Sequence, residues 1–250
     1  MKISIITVVR NNAETIKDAI ESVLNQTYKD IEYIIIDGKS TDGTVEIIKT
    51  YGDKISKFIS EPDEGIYDAM NKGVLAATGD IVGILNADDF YIDENVLSSV
   101  VEVFKKEDVD SVFADLVYVH PDNLEKVVRY YSSKQFHPGK FTYGWMPAHP
   151  TFFVKRDIYE KYGLFKIDYK IAADFELLVR FLYKYKISYC YMHKVLIKMR
   201  TGGVSTKNLK SNWVLNKEIV RACYENNIRT NMFKISLKYF KKLFELIGNK

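Results

Sequence analysis

Short apolar runs of strand length alternate with helical segments over the first 115 residues of the chain. The runs at 3–9, 31–36 and 81–85 are rich in β-branched residues and have the length of buried strands. Between them, apolar residues recur at the three- and four-residue spacing of a helix, over 16–24 and again over 66–77. Strands and helices that alternate through short loops predict an α/β fold, with a mostly parallel, Rossmann-like sheet flanked by helices.

The same patterns predict the remaining elements. Further strands are expected at 55–59, 109–114, 151–154 and 189–197, and further helices at 45–51, 93–104, 157–162, 174–185 and 207–247. Residues 116–150, rich in Tyr, His, Gly and Pro, are expected to contain short strands at best.

The composition is that of an ordinary globular protein, with 47% hydrophobic and 28% charged residues among 250. No apolar run approaches 18 residues, and Arg10 interrupts the N-terminal one, so neither a transmembrane helix nor a signal peptide is expected. The two cysteines form no metal or redox motif. A cytoplasmic location is expected, either free or at the inner face of the cell membrane.

Charge is divided unevenly along the chain. Residues 1–115 carry 11 basic and 23 acidic side chains, whereas residues 116–250 carry 25 and 10. An acidic half joined to a basic half is a hint about partners, and an ordinary solvated surface is the alternative.

Polar side chains follow several of the predicted strands. Ligands of parallel sheets bind beyond the carboxyl ends of the strands, so Asn11, Asp37, 61–65 and 86–89 are expected to converge at one edge. Neither a phosphate-binding Gly-x₄-Gly-Lys-[Ser/Thr] loop nor Gly-x-Gly-x-x-Gly is present, which disfavours a dinucleotide dehydrogenase.

Two adjacent carboxylates, Asp88 and Asp89, directly follow the strand at 81–85. Such a pair repels itself unless a cation or hydrogen-bond donors offset the charge. Mg²⁺ and Mn²⁺ prefer oxygen ligands, which makes this loop a candidate metal–diphosphate site. The alternative is an Asp-rich cap of the helix that begins near Asp93.

Six segments together resemble the family 2 glycosyltransferases, which have the GT-A fold, over roughly residues 1–205. The segments are Thr7-Val-Val-Arg-Asn-Asn12, Ile36-Asp-Gly-Lys-Ser-Thr-Asp-Gly-Thr44, Asp63-Glu-Gly-Ile-Tyr-Asp-Ala-Met-Asn-Lys-Gly73, Ala77-Thr-Gly-Asp-Ile-Val-Gly-Ile-Leu-Asn-Ala-Asp-Asp89, His149-Pro-Thr-Phe-Phe153 and Ile171-Ala-Ala-Asp-Phe-Glu176. The resemblance is greatest to the subgroup that builds bacterial surface polysaccharides such as colanic acid and O-antigen. It implies a nucleotide-sugar-binding half at 1–115, an acceptor-binding and catalytic half at 116–205, and a C-terminal helical extension at 206–250.

The resemblance also implies site residues. The nucleotide would be bound by Thr7, Val8, Arg10, Asp37, Asp63, Asp68, Lys72, Asn86 and Ala87. Asp88 would bind Mn²⁺ or Mg²⁺, with His149 as a second candidate ligand. Asn86 departs from the family, which has an aspartate at this position. Without the other motifs, a surface ion pair is as good an explanation of Asp68 and Lys72 as a role in phosphate binding. An ordinary turn is likewise as good an explanation of residues 37–44.

For the chemical step, Asp174 matches the family's general base, with Glu176 as the reserve candidate. Trp145 and Glu176 are candidates for the acceptor site, and Arg200 and Gly203 for a lid over the donor. The alternatives are a plain helix cap for Asp174, core packing for Trp145 and a static turn at Gly203.

The implied activity is inverting transfer of a sugar, with UDP-sugar the first choice of donor, to a saccharide or lipid-linked saccharide. The alternatives are a catalytically degenerate scaffold that binds nucleotide sugars and a sugar nucleotidylyltransferase, whose Gly-rich N-terminal loop is lacking. Residues 231–247 have the pattern of a basic amphipathic helix, expected to contact a membrane or to pack on the body or in a homodimer. Nucleic-acid binding is not expected, because no recognised motif accompanies the lysines.

Overall fold

The computed structural model describes residues 1–202 and 209–237. The strands are β1 Ile3–Val9, β2 Ile31–Asp37, β3 Lys57–Ser60, β4 Ile81–Ile84, β5 Asp89–Tyr91, β6 Ser111–His120, β7 Asn123–Tyr131, β8 Phe153–Lys155 and β9 Tyr189–Arg200. The helices are α1 Ile16–Leu24, α2 Thr44–Lys49, α3 Ile66–Ala76, α4 Val96–Lys106, α5 Arg156–Tyr162, α6 Ala173–Leu178 and α7 Leu209–Glu225. A wider π-helical segment, Val179–Lys184, continues α6, and a short 3₁₀ turn covers His149–Thr151.

The described strands form one mixed sheet in the order β3-β2-β1-β4-β8-β6-β9-β5, and β7 pairs with the outer part of β6. Strands β1 to β4 are mutually parallel. Because β8 is antiparallel to both β4 and β6, β6 runs in the same direction as β1 to β4, and β9 is parallel to β6. The expected mostly parallel sheet flanked by helices is therefore confirmed. The proposed boundary between residues 115 and 116 falls inside β6.

Each face of the sheet carries its own apolar core. Alternate residues of β1 divide between them: Ile3 and Ile5 pack on the side of α1 and α4, whereas Ile6 packs on the side of α3 and α6. All three are fully buried. The α6 side also takes up α7 through Ile219 and Cys223, so this described part of the C-terminal extension is part of the molecule's core.

Two expectations about elements are wrong. Residues 116–150 contain a full strand, β7, with mostly exposed side chains, so no alternation of buried and exposed residues announces it. The continuous helix expected over 207–247 is interrupted after α7. Asn227 has a φ of 64°, and Ile228 N–H donates to the Cys223 carbonyl at 2.8 Å, which ends the helix in the left-handed manner that asparagine tolerates. Residues 232–237 are helical again, and 238–247 lie outside the described residues.

Within 1–202 and 209–237, the structure contains no helix that is both long and apolar enough to span a bilayer.

Candidate functional site

The loops after β1 and β2 are tied to each other at the carboxyl edge of the sheet. Asn11, with a φ of 50°, accepts at Oδ1 from Thr41 N–H at 2.8 Å, and its own N–H donates to Ser40 Oγ at 2.7 Å. Asn12 N–H donates to Thr44 Oγ1 at 2.9 Å. The two loops therefore form one rigid rim beyond the strand ends, as the sequence predicts.

Arg10, Gly38 and Asp63 meet on this rim. A Cβ atom added at Gly38 would lie 2.2 Å from Asp63 Oδ2 and 3.3 Å from Arg10 Cδ. Only glycine lets the Asp63 carboxylate approach the backbone so closely. Asp63 Oδ1 also accepts from Gly65 N–H at 3.0 Å, which fixes its direction. Gly38 thus lies between the Asp63 carboxylate and the side chain of Arg10, two of the residues expected to bind a nucleotide.

Asp68 and Lys72 hold the loop that leads into α3. Asp68 Oδ2 accepts from Glu64 N–H at 3.1 Å and lies 3.4 Å from Lys72 Nζ. Lys72 Nζ also donates to the Pro62 carbonyl at 2.7 Å and pairs with Glu61 at 2.9 Å. Both side chains therefore brace the loop that carries Asp63, and any contact with phosphate would replace part of this network.

The turn after β4 contains two oxygen atoms without a hydrogen-bond partner. Asn86 Oδ1 and Asp89 Oδ1 are both buried, and neither has a donor among the described residues. Burial raises the pKa of the Asp89 carboxyl well above its ordinary value, and the charge of Asp88 adds to the rise. Orphaned buried oxygens of this kind cost free energy, which marks the turn as incomplete by itself.

Arg200 holds this turn from the opposite strand. Its Nη1 donates to the Asp88 carbonyl at 2.6 Å, and its Nη2 pairs with Asp18 on α1. Its guanidinium lies 5.0 Å from the ring centre of Phe90. Ala87 is fixed as well, because its carbonyl accepts from Thr15 Oγ1 at 3.0 Å. Arg200 therefore positions the backbone of the candidate metal loop in the described arrangement.

The donor set fits a divalent cation of the Mg²⁺ or Mn²⁺ type. Asp88 is half-buried and supplies a carboxylate, and the amide oxygen of Asn86 lacks a donor. Oxygen ligands of this sort, completed by phosphate and water, are the surroundings such ions prefer. The described residues contain no cluster of three His, Cys, Asp or Glu side chains suited to a metal, so ligands from outside the protein would have to complete the shell.

His149 lies against the candidate base. Its Nδ1 is 3.2 Å from Asp174 Oδ2, and both side chains are partly exposed. Asp174 Oδ1 accepts from Phe175 N–H at 2.7 Å on the first turn of α6. Paired with Asp174, His149 is placed to orient this carboxylate. Its expected role as a metal ligand stays a prediction.

Tyr67 connects α3 to the same loop. Its hydroxyl donates to the Ile171 carbonyl at 2.5 Å, three residues before Asp174. Burial raises the pKa of the Tyr67 hydroxyl, and the charges of Asp174 and Glu218 contribute to the rise. Tyr67 therefore remains a neutral donor at physiological pH.

Comparison with known proteins identifies the family. The sequence profile described as glycosyl transferase family 2 matches residues 4–163, which is more than half of the chain. The chain belongs to glycosyltransferase family 2. The resemblance read from the six motifs is thereby confirmed at the level of the family and of enzymatic glycosyl transfer, whereas the narrower resemblance to colanic acid and O-antigen enzymes stays a prediction.

Two curated relatives of this family 2 chain illustrate its range. An uncharacterised glycosyltransferase of Rickettsia typhi is 31% identical over 224 residues, covering 84% of this chain and 67% of the relative. A PGL/p-HBAD biosynthesis glycosyltransferase of Mycobacterium tuberculosis is 27% identical over 222 residues, covering 87% of this chain and 82% of the relative.

Solved structures agree on the fold of this family 2 enzyme. Staphylococcus aureus TarS 1–349, in complex with UDP-GlcNAc, superposes with a TM-score of 0.71 at 16% identity, covering 98% of this chain and 73% of that one. The mannosyltransferase PcManGT of Pyrobaculum calidifontis, in complex with GDP-Man and Mn²⁺, superposes with a TM-score of 0.65 at 18% identity, covering 90% and 63%. At these identities the likeness establishes the fold, which is GT-A.

Several expected nucleotide ligands of this family 2 site have their side chains occupied elsewhere. Thr7 and Val8 are buried within β1, and the Thr7 hydroxyl bonds to Tyr33 at 3.0 Å. Asp37 is fully buried and accepts from Ser40 N–H at 3.1 Å and Ser60 Oγ at 2.6 Å. Its carboxylate fixes the ends of β2 and β3, so it is not free to contact a nucleotide in this arrangement.

The Glu176 side chain is held in the interior of the protein. Its carboxylate is fully buried and lies 3.0 Å from Arg180 Nη2 and 3.2 Å from Lys166 Nζ. Asn226 Nδ2 donates to it at 3.2 Å. Glu176 therefore pairs with the buried Arg180 and with the partly exposed Lys166. This burial argues against its expected role as reserve base.

Trp145, the candidate for the acceptor pocket, belongs to an aromatic group. Its ring stacks at 6.2 Å on Tyr131 and 6.0 Å on Phe136, and Lys140 Nζ lies 4.8 Å from its centre. It is half-buried, so packing and acceptor contact are compatible. Gly203, the expected lid hinge, lies outside the described residues.

Two contributors to the site escape sequence reasoning. Tyr67 lies inside a recognised motif, yet nothing in the motif says that its hydroxyl reaches Ile171, 104 residues away. Asp18 pairs with Arg200 across 182 residues and lies on an ordinary amphipathic helix. The one signal in the sequence is the position of Asp18, a charged residue in the first turn of α1.

Proposed function

We propose that the chain is an inverting glycosyltransferase that transfers a sugar from a nucleotide sugar, with UDP-sugar the first choice, to a saccharide or lipid-linked saccharide, with Asp174 as the general base. The observation that carries this proposal is the Asp174 carboxylate, which stands at the start of α6 and is held 3.2 Å from His149 Nδ1. Tyr67 joins this base to α3, whose preceding loop carries Asp63 and so reaches the nucleotide rim.

Asp174 would take the proton from the acceptor hydroxyl as that oxygen attacks the anomeric carbon. The bond from the anomeric carbon to the donor phosphate breaks on the opposite face, and the nucleoside diphosphate leaves. The carboxylate stands on the first turn of α6, where Oδ1 accepts from Phe175 N–H at 2.7 Å. His149 orients it, and the rim around Arg10 and Asp63 would bind the nucleotide.

A divalent cation, when bound, would supply positive charge to the diphosphate leaving group. Asp88 is the residue that would hold it, beside the amide oxygen of Asn86. Arg200 would contribute indirectly, because it fixes the backbone of this turn.

The proposal is tested by thermal melting against a panel of nucleoside diphosphates and nucleotide sugars, with UDP-GlcNAc and GDP-mannose included, in Mn²⁺ and in EDTA. A ligand present at 100 times its Kd stabilises the folded state by about 2.7 kcal/mol. A Mn²⁺-dependent shift with one nucleotide class, together with release of that nucleoside diphosphate from its sugar, is the expected result. Binding without any turnover would favour the degenerate scaffold instead.

The C-terminal segment is proposed as a contact with an anionic membrane surface, where a lipid-linked acceptor would be found. The helical residues 232–237 are anchored by Ile235, whose side chain packs near Gly144. Phe233 remains 73% exposed, with Met232 and Leu237 each 38% exposed. Apolar side chains of this exposure next to Lys234 suit the headgroup region of a bilayer.

Flotation with phosphatidylglycerol vesicles tests this contact, with phosphatidylcholine vesicles as the reference. Phe233→Ser is expected to lower the bound fraction, whereas Tyr224→Ser, which changes an exposed aromatic residue on α7, is expected to leave it unchanged. Equal flotation of wild type and Phe233→Ser would exclude this face, and a dimer in gel filtration would favour the alternative partner.

A further inference from the structure

Three backbone N–H groups just before α6 converge on one carboxylate from the C-terminal extension. Glu218, on α7, accepts from Lys170 N–H at 2.8 Å, Ile171 N–H at 2.9 Å and Ala172 N–H at 2.9 Å. These N–H groups lie in the loop that enters the helix, outside its hydrogen-bond ladder, and a carboxylate is a strong acceptor for them. Glu218 therefore holds the loop that enters α6, from a position 46 to 48 residues away in the chain.

Both backbone polar groups of Ile171 are hydrogen-bonded to side chains of other elements. Its N–H donates to Glu218, and its carbonyl accepts from the Tyr67 hydroxyl at 2.5 Å. One partner lies on α7 and the other on α3. Because Asp174 follows three residues later, the position of its carboxylate depends on the hydrogen bonds of Ile171 to both Glu218 and Tyr67.

Other contacts between α7 and this loop lie further from the base. Arg221 pairs with Asp168, and Glu225 Oε2 accepts from Tyr169 at 2.9 Å and Lys166 at 2.7 Å. These contacts fasten α7 to the first part of the loop. None of them reaches residues 170–172, so Glu218 has a separate task on the same helix.

We propose that Glu218 is a positioning residue for the general base, and that α7 completes the catalytic loop of the GT-A domain. This inference rests on the proposed function of Asp174. Without the Glu218 carboxylate, residues 170–172 lose three charge-assisted hydrogen bonds, and the first turn of α6 is free to shift. A displacement of about 1 Å at a reacting group can lower the rate by about 100-fold.

The first test needs no substrate. Amide hydrogen exchange at residues 170–172 is compared in the full chain between wild type, Glu218→Gln and Glu225→Gln. The exchange of these amides is expected to accelerate about tenfold or more in Glu218→Gln, since hydrogen bonds to a charged acceptor are lost. Glu225→Gln removes a carboxylate from the same helix and is expected to leave the three amides protected. Unchanged exchange in Glu218→Gln would overturn the proposal.

The second test is kinetic and uses whichever nucleotide sugar of the panel is turned over. Glu218→Gln is expected to lower kcat about 10- to 100-fold with the donor KM within about twofold, because the donor rim is untouched. Glu218→Asp, which keeps the charge, is expected to recover part of kcat, and Glu225→Gln to retain wild-type kcat.

Asp174→Asn, measured alongside, separates this inference from the assignment of the base. An active Asp174→Asn enzyme would overturn the proposed function, whereas an inactive one together with a Glu218→Gln enzyme of wild-type kcat would overturn only the role of Glu218. Should Glu218→Gln fail to fold, Tyr67→Phe loosens the same peptide from the α3 side, and an unchanged kcat in that variant would contradict the inference.

Discussion

Asp174 and Glu176 stand two residues apart at the start of α6, and the helix turns them into different surroundings. Asp174 faces His149 and is 15% exposed, whereas Glu176 is fully buried between Arg180 and Lys166. A buried carboxylate that pairs with two cations has a structural role, because removing a partner would leave an uncompensated charge in the interior. The more exposed carboxylate, Asp174, is therefore the better candidate for the proposed general base.

Asp174→Asn is expected to lower the transfer rate by about 100-fold or more, since a positioned general base contributes roughly 10²- to 10⁴-fold. The Kd of the donor nucleotide is expected to stay within about twofold, because Asp174 touches no residue of the nucleotide rim. Steady-state kinetics and isothermal titration on the same preparation check both statements. A rise in the donor Kd as large as the loss of transfer rate would place Asp174 in the donor site instead.

Asp88→Ala is expected to weaken nucleoside diphosphate binding in Mn²⁺ by about tenfold or more, and to leave binding in EDTA unchanged. The reason is that Asp88 would act on the diphosphate only through the cation. Glu94→Ala removes an exposed negative charge shortly after the same turn and serves as the control. Wild-type binding that is equal with and without Mn²⁺ would refute the metal assignment.

At the scale of elements, the sequence predicts what local periodicity encodes. β1, β2, β4, α1 and α3 follow their apolar patterns closely, and the polar loops behind these strands do share one edge. β7 could not be predicted, because its mostly exposed side chains leave no alternation. The helix α7 ends at Asn227, which has a left-handed backbone conformation. The end could not be predicted because the amphipathic pattern of the sequence continues past this residue.

The close packing of α3 on β1 is the element-scale feature most open to test. A Cβ added at Gly73 would lie 2.3 Å from Ile6 Cγ2, in a buried and stiff side chain. Overpacking of this kind costs about 1–3 kcal/mol, while alanine in a helix regains up to about 1 kcal/mol over glycine.

Gly73→Ala is therefore expected to lower the free energy of unfolding by about 1–2 kcal/mol in urea denaturation, because so close an approach to the fully buried Ile6 places the overpacking cost toward the upper end of its range. Leu75→Ala, on the same helix but 73% exposed, is expected to change it by less than about 0.5 kcal/mol. A Gly73→Ala protein as stable as wild type would mean that Ile6 yields without cost, and that this contact does not set the distance between α3 and the sheet.

At the scale of the whole molecule, the site is assembled from parts that are far apart in the chain. Asp18 meets Arg200, Tyr67 meets Ile171, and Glu218 meets residues 170–172. Motifs identify which loops carry the chemistry, but they do not encode which distant side chains hold those loops. That part of the site depends on tertiary contacts and could not be read from one sequence.

The opposite edge of the sheet shows what holds the same strands together away from the site. Glu32, on β2 and 4% exposed, accepts from Ser4 Oγ on β1 at 2.7 Å and from Thr78 N–H before β4 at 2.7 Å. Lys57 Nζ on β3 lies 3.2 Å away. One carboxylate therefore joins the amino ends of four neighbouring strands.

This carboxylate makes the stability of the whole fold depend on pH. Burial by itself would raise the pKa of Glu32, but hydrogen bonds from Ser4, Thr78 and Lys57 outweigh it and lower the pKa to about 2. Because the folded pKa lies below the ordinary value, the stabilisation is complete above that ordinary value and is lost as the pH falls towards about 2.

Glu32→Gln is accordingly expected to unfold more easily than wild type at pH 7, with the difference in unfolding free energy shrinking between about pH 5 and pH 2. Urea denaturation across this range measures it. Glu160→Gln, which removes an exposed carboxylate paired with Arg156, is expected to follow wild type throughout. A Glu32→Gln difference that stays constant with pH would mean that the loss comes from packing, and that the ionised carboxylate does not hold the four strands together.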